Sequence, residues 1–150
     1  MNNELEILSL KEKFHRFGYK YTDQRQLVLD VLSEHPDLHL SSDDICEYLK
    51  QKKIKMGQST VYRTLLILEK MKIVRKMDLN DGFTRYELCD HEEEHAHHHL
   101  ICSKCGSVTD IKGDLLNNLE QQIYRSYGFK INDHILKFFG ECRNCLDKNS

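Results

Sequence analysis

The chain has 150 residues, 31% of them charged and 39% hydrophobic, with a formal net charge of -2 at pH 7. That length suits one domain or two small ones, and the apolar share suffices for real cores in a soluble protein. The segment from Met1 to Phe14 carries Glu4, Glu6, Lys11, Glu12 and Lys13 without an uninterrupted apolar run, which excludes a signal peptide or membrane span there.

A first helix is expected from the helical spacing of Ile7, Leu10, Phe14 and Phe17, with Gly18 as its stop. Thr22 is placed to cap a second helix whose apolar face is Leu27, Val28, Val31 and Leu32, and Pro36 breaks it. Ser41 with Asp44 three residues on resembles a capping box, opening a third helix with Ile45, Tyr48 and Leu49 inward. After Gly57 a fourth helix buries Val61, Leu65 and Leu68. Strands from about Ile73 to Leu79 and Phe83 to Leu88 flank the hairpin turn signal Asn80-Asp81-Gly82. Helices followed by a β-hairpin make a winged helix-turn-helix pattern. Asp90 to Glu94 is acidic and polar and reads as a linker, so domains are expected at 1-89 and 95-150 with a hinge at 90-94. Beyond it, strands are expected at about His97 to Cys102 and Val108 to Ile111. A helix should run from Asp114 to Tyr127, with Leu115, Leu119 and Ile123 on one face, and a last strand from Phe129 to Phe139.

Charge is unevenly spread. Between Lys50 and Lys76 nine residues are basic against one acidic, Glu69. From Asp90 onward seven are basic against ten acidic, with six of the nine histidines. The first stretch seeks a polyanion and the second seeks cations. The fourth helix places Ser59, Tyr62 and Arg63 opposite its apolar face, where Arg63 and Tyr62 can meet base edges or phosphate. Lys72, Arg75 and Lys76 lie near the wing and suit backbone contacts, and Lys20 and Arg25 are further phosphate or minor-groove candidates.

Cys102-x-x-Cys105 and Cys142-x-x-Cys145 are separated by 36 residues. A two-residue gap lets both thiolates of a pair reach one ion, and two pairs close a tetrahedral sulfur shell that suits structural zinc. Metal ligation rather than disulfide formation is expected of a chain in the reducing cytosol, so a cytoplasmic location follows. Before the first pair runs His95-Ala96-His97-His98-His99. Strand alternation turns His97 and His99 one way and His98 the other, so one mononuclear site should take His97 and His99. His91-Glu92-Glu93-Glu94-His95 matches the H-E-x-x-H spelling of zinc proteases, but its flanks are acidic and lack the apolar helix face that motif needs. A metalloenzyme would need a general base at an open metal position, and that rejected motif is the sole nominal one. A zinc-stabilised interaction module without DNA binding leaves the basic stretch unexplained. No enzymatic activity and no organic small-molecule substrate are expected.

Taken together, Gly18-Tyr19-Lys20-Tyr21-Thr22-Asp23-Gln24-Arg25, Ser59-Thr60-Val61-Tyr62-Arg63-Thr64-Leu65, Arg85-Tyr86-Glu87-Leu88, His97-His98-His99-Leu100-Ile101-Cys102, Asp133-His134 and both cysteine pairs resemble the ferric uptake regulator family of bacterial metal-dependent repressors. The resemblance implies an α+β chain with an N-terminal winged-helix domain and a small C-terminal α/β dimerisation domain. It implies a homodimer on a palindromic double-stranded DNA operator, with Ser59, Thr60, Tyr62 and Arg63 in the major groove and Lys20 near the minor groove. It also implies a sensory site of His39, Glu87, His97, His99 and Asp110, holding iron(II) with manganese(II) or zinc(II) as substitutes. The implied function is iron-dependent control of iron-uptake genes, with zinc-sensing or peroxide-sensing regulators as alternatives in the same family. Ala96 and Asn117 stand where the family's additional site has ligands, leaving His98 and His134, with Glu120 one turn away as a substitute. Cys89 stands where the zinc-sensing branch often has a thiolate, and Asp110 where the peroxide-sensing branch has Asp.

Overall fold

The computed structural model describes residues 2-89, 98-111, 113 and 115-148. The expected linker at 90-94, together with Ala96 and His97, lies outside the described residues. The chain divides into two compact units, Met1-Cys89 and Asp90-Ser150.

The first unit runs α1 (Asn2-Arg16), α2 (Asp23-Glu34), β1 (Leu40-Ser41), α3 (Ser42-Gln51), α4 (Gln58-Lys70), β2 (Val74-Asp78) and β3 (Thr84-Leu88). Local chemistry sets these bounds. Thr22 accepts from the Arg25 amide at the start of α2, satisfying one of the orphan donors of a helix end. Ser41 and Asp44 make a reciprocal capping box at α3: Ser41 N donates to Asp44 Oδ2 at 2.8 Å and Asp44 N to Ser41 Oγ at 3.2 Å. Pro36 stops α2 because the residue before proline is pushed out of the α region, and the helix ends at Glu34. Lys53 (φ 61°) and Lys72 (φ 54°) follow α3 and α4 in the left-handed region that glycine usually occupies.

The core joins Phe14 to the inward faces of α2, α3 and α4 (Val28, Val31, Leu32, Ile45, Leu49, Val61, Leu65 and Leu68) and to Val74 and Tyr86 of the sheet. Phe17 falls past the end of α1 and is exposed rather than part of this core. The sheet has the order β1-β3-β2, all antiparallel. Sequence reading missed β1, because two residues offer no periodicity. It forms by pairing Leu40 with Tyr86 and Ser41 with Arg85. The arrangement is a winged helix: α3 and α4 form the helix-turn-helix and β2-β3 form the wing.

The second unit runs β4 (His98-Cys102), β5 (Val108-Ile111), α5 (Asn117-Tyr127), β6 (Lys137-Gly140) and α6 (Arg143-Lys148). Its sheet has the order β5-β4-β6, with β4 antiparallel to β5 and parallel to β6. The last strand is shorter than expected, since Phe129 to Leu136 carry no regular structure. Asn132 and Asp133 interrupt the apolar run there, and the Asp133 side chain accepts from the His134 amide in a local turn. Sequence reading also missed α6, whose first turn is fixed by the second cysteine pair. The helix begins at Asn117, so Leu115 precedes it, and the face expected to be inward is largely open: α5 has no buried residue, Leu119 is exposed and Ile123 is half-buried. Among the described residues of this unit the buried apolar side chains are Ile101 and Cys102. Such an exposed apolar stripe marks an interaction surface.

Candidate metal and DNA sites

The cysteines converge. Cys102 ends β4, Cys105 follows a tight turn, and Cys142 and Cys145 straddle the start of α6. Gly106 takes φ +73° to return the chain to β5, a conformation that a Cβ makes costly. The four sulfurs lie within 4.8 Å of one another, with Cys102-Cys145 at 3.9 Å and Cys105-Cys142 at 3.7 Å. A tetrahedral ion with Zn-S bonds of about 2.3 Å sets its sulfurs about 3.8 Å apart, so the donor set fits zinc. Electrostatics agrees. Backbone donors, foremost at Cys105 and Cys142, pull the Cys102 thiol down to about 6. The Ser107 hydroxyl lowers that of Cys105. Hydrogen bonds with Cys142 and Cys105 push Cys145 up to about 12. Crowded thiols share protons unevenly until a cation neutralises them all.

Nitrogen and oxygen donors form three further groups. In the first unit, His39 Nε2 lies 3.3 Å from Glu87 Oε2. The Arg85 guanidinium holds His39 in place: it donates to the His39 carbonyl at 3.1 Å and also reaches Asp44 Oδ2 at 3.4 Å and Asp81 Oδ2. Sequence reading gave Arg85 no such part, and only its place opposite Ser41 in the sheet reveals it. In the second unit, His99 stands opposite Asp110 across β4-β5, and His99 Nδ1 meets Asp110 Oδ1 at 2.8 Å. His98 turns the other way, as the pleat requires. Its ring stacks on His134 with centroids 5.1 Å apart, and His134 Nδ1 lies 2.6 Å from Glu120 Oε1. Asn117 is turned elsewhere and accepts from Gln121 at 3.1 Å. His97 lies outside the described residues; of the other expected sensory residues, His39 and Glu87 meet in the first unit and His99 and Asp110 in the second. Cys89 is half-buried, and burial raises its thiol above the ordinary range.

On α4, Ser59, Tyr62 and Arg63 are exposed and Thr60 is half-buried, while Val61, Thr64, Leu65 and Leu68 face the core. Lys20 is exposed on the loop before α2. Arg25 is turned onto that loop: its guanidinium donates to the Lys20 carbonyl and lies 5.7 Å from the Phe14 ring centre and 5.8 Å from that of Tyr19. Lys76 is exposed on the wing, whereas Arg75 is half-buried and engages Glu87. No helix among the described residues is long and apolar enough to cross a membrane.

A winged helix, an open α/β unit, a four-sulfur site and paired imidazole-carboxylate donors are the traits by which metal-dependent DNA-binding regulators work. The sequence profile of the ferric uptake regulator family matches residues 16-139. The chain belongs to that family. It is 42% identical over 147 residues to the ferric uptake regulation protein of Bacillus subtilis, covering 98% of this chain and 99% of the relative. It superposes on the ferric uptake regulator of Helicobacter pylori, a structure described as revealing three functional metal-binding sites, with a TM-score of 0.82 at 28% identity over 98% of this chain and 95% of that one. The regulator of Francisella tularensis, solved with iron, gives 0.75 at 32% identity over 87% and 96%. The chain is therefore a metal-responsive transcription regulator of a family of DNA-binding proteins, and not an enzyme.

Proposed function

We propose that the chain is an iron(II)-dependent repressor of iron-uptake genes, acting in the cytoplasm as a homodimer on a palindromic operator. The observation that carries this reading is the donor set of two imidazole-carboxylate pairs, His39-Glu87 and His99-Asp110, each already assembled in its own unit. Mixed nitrogen and oxygen donors suit iron(II), manganese(II) or zinc(II). The iron-bound Francisella protein and the 42% identity to the Bacillus regulator favour iron.

Each residue has a definite task. Cys102, Cys105, Cys142 and Cys145 hold a structural zinc that ties β4 to α6. His39, Glu87, His97, His99 and Asp110 form the sensory set, and Arg85 orients His39. A bound ion would supply the positive charge that these imidazoles and carboxylates ligate, and its differential affinity for two states of the regulator shifts the population toward the DNA-competent one. Ser59, Thr60, Tyr62 and Arg63 read the operator from α4. Lys20 contacts phosphate or the minor groove, and Arg25 holds its loop. His98, Glu120 and His134 support an additional site, with three donors where Ala96 and Asn117 contribute none.

The test is operator binding titrated separately with iron(II), manganese(II) and zinc(II), with and without peroxide. Iron(II) should raise affinity at least tenfold, about 1.4 kcal/mol of coupling. A response to zinc alone, or one abolished irreversibly by peroxide, would replace iron uptake control with zinc or peroxide sensing. Cys89 favours the first alternative and Asp110 the second.

A further inference from the structure

Arg75 sits directly opposite Glu87 in the β2-β3 ladder. Its Nη1 lies 3.5 Å from Glu87 Oε1, while Glu87 Oε2 faces His39 Nε2 at 3.3 Å. One carboxylate thus presents one oxygen to a proposed metal ligand and the other to a guanidinium. The Arg75 side chain is 34% exposed against 9% for Glu87, so as a stabilising ion pair it counts for little. A cation beside a metal ligand has another consequence. The guanidinium is charged at every physiological pH. An incoming divalent ion must share Glu87 with it or displace it, and brings like charge near it in a partly screened site.

We infer that Arg75 is a built-in competitor of the sensory ion: it holds Glu87 when the site is empty of metal and so raises the metal concentration at which the regulator switches. This rests on Glu87 being a sensory ligand. It gives Arg75 a task that its place on a DNA-facing wing does not. Because the competition is one of charge, it acts alike on every divalent ion. Arg75 sets the threshold of the response, while the donor set governs which metal is preferred.

The experiment measures manganese(II) affinity of the full chain, with its cysteine site zinc-loaded, by competition with a fluorescent chelator at fixed ionic strength. Arg75→Gln should bind manganese(II) about tenfold tighter, and Arg75→Lys, which keeps the charge, within about twofold of the unaltered chain. Arg75→Met keeps the aliphatic stem and should tighten binding equally, so the test survives if the glutamine variant does not fold. In a Glu87→Gln background, loss of the Arg75 charge should change affinity by less than about twofold, because the shared carboxylate is gone. The manganese(II) concentration at half-maximal operator binding should fall by the same factor. Unchanged or weaker binding by both Arg75→Gln and Arg75→Met, with Glu87→Gln impaired, overturns the competitor role and leaves the sensory assignment standing. No exchangeable manganese(II) in the unaltered chain, or none lost in Glu87→Gln, overturns the sensory assignment of Glu87 and this inference with it.

Discussion

Cys142→Ser should unfold the second unit while leaving the first intact. The two units differ sharply in what holds them. The first has a continuous core from Phe14 through α2, α3 and α4 to Tyr86. The second buries, among its described apolar side chains, Ile101 and Cys102. Full burial of an isoleucine is worth about 1.5-3 kcal/mol. A closed structural zinc site typically contributes about 10-16 kcal/mol of folding free energy at pH 7. In a single copy of this unit, a zinc held by the four cysteines would therefore stabilise the fold more than burial of Ile101 does. Cys142 is well placed for the test, because its sulfur lies 3.7 Å from that of Cys105 and its amide donates to Cys102 Sγ at 3.3 Å. Serine keeps the size and loses the thiolate. The expected result is less than one zinc per chain by elemental analysis, with lost hydrogen-exchange protection in β4, β5, β6 and α5. Protection in α2, α3 and α4 should persist. A variant that keeps one zinc per chain and full protection across residues 98-148 would refute the reasoning.

Arg63→Ala should weaken operator binding by about 1-3 kcal/mol and relax sequence preference, while Lys76→Ala weakens specific and random DNA about equally and flattens the salt dependence. Gel shifts at several fixed salt concentrations distinguish the two, and intact operator affinity in Arg63→Ala would remove α4 from the groove. Leu65→Ala, at a fully buried position on the opposite face of α4, should instead cost about 2-5 kcal/mol of stability, read from urea unfolding. Lys53→Gly should raise the urea midpoint, gaining about 0.5-1 kcal/mol by relieving a left-handed backbone at φ 61°. His97→Ala should abolish the metal-dependent part of operator binding yet keep zinc and dimer, and His98→Ala should do much less. The reverse outcome would invert the reading of which face of the strand senses metal.

The first unit was legible because its signals are local. Thr22, Ser41 with Asp44, and Pro36 act within one turn, and the periodicity of Val61, Leu65 and Leu68 states its own period. In the second unit the convergence of the four cysteines and the opposite turns of His98 and His99 were legible from spacing and strand alternation. It was less legible elsewhere, for physical reasons. The α5 stripe shows amphipathicity but not its partner, so Leu115 and Leu119 read as core although one chain leaves them exposed. The stretch from Phe129 to Leu136 is rich in apolar residues, yet strand pairing begins only at Lys137, where β4 offers a parallel neighbour. Arg75 and Arg25 counted as basic surface, because a sequence gives the sign of a charge and not its partner.

In the proposed reading, donor chemistry and charge placement together separate two metals. Soft thiols gather where β4 ends and α6 begins, and harder imidazole and carboxylate donors lie elsewhere, on His39 before β1 and on β3, β4 and β5. A borderline-soft ion such as zinc gains most from the sulfur shell, which closes completely and offers no open position. The imidazole-carboxylate pairs offer weaker, exchangeable ligation. Weak ligation is what a sensor needs, since a site already saturated at the lowest metal concentration reports nothing. On the proposed reading, donor softness gives permanence to the sulfur site and response to the other. Affinity at the proposed responsive site can then be tuned by nearby charge, and Arg75, which lies 3.5 Å from Glu87, is a cation in position to do so.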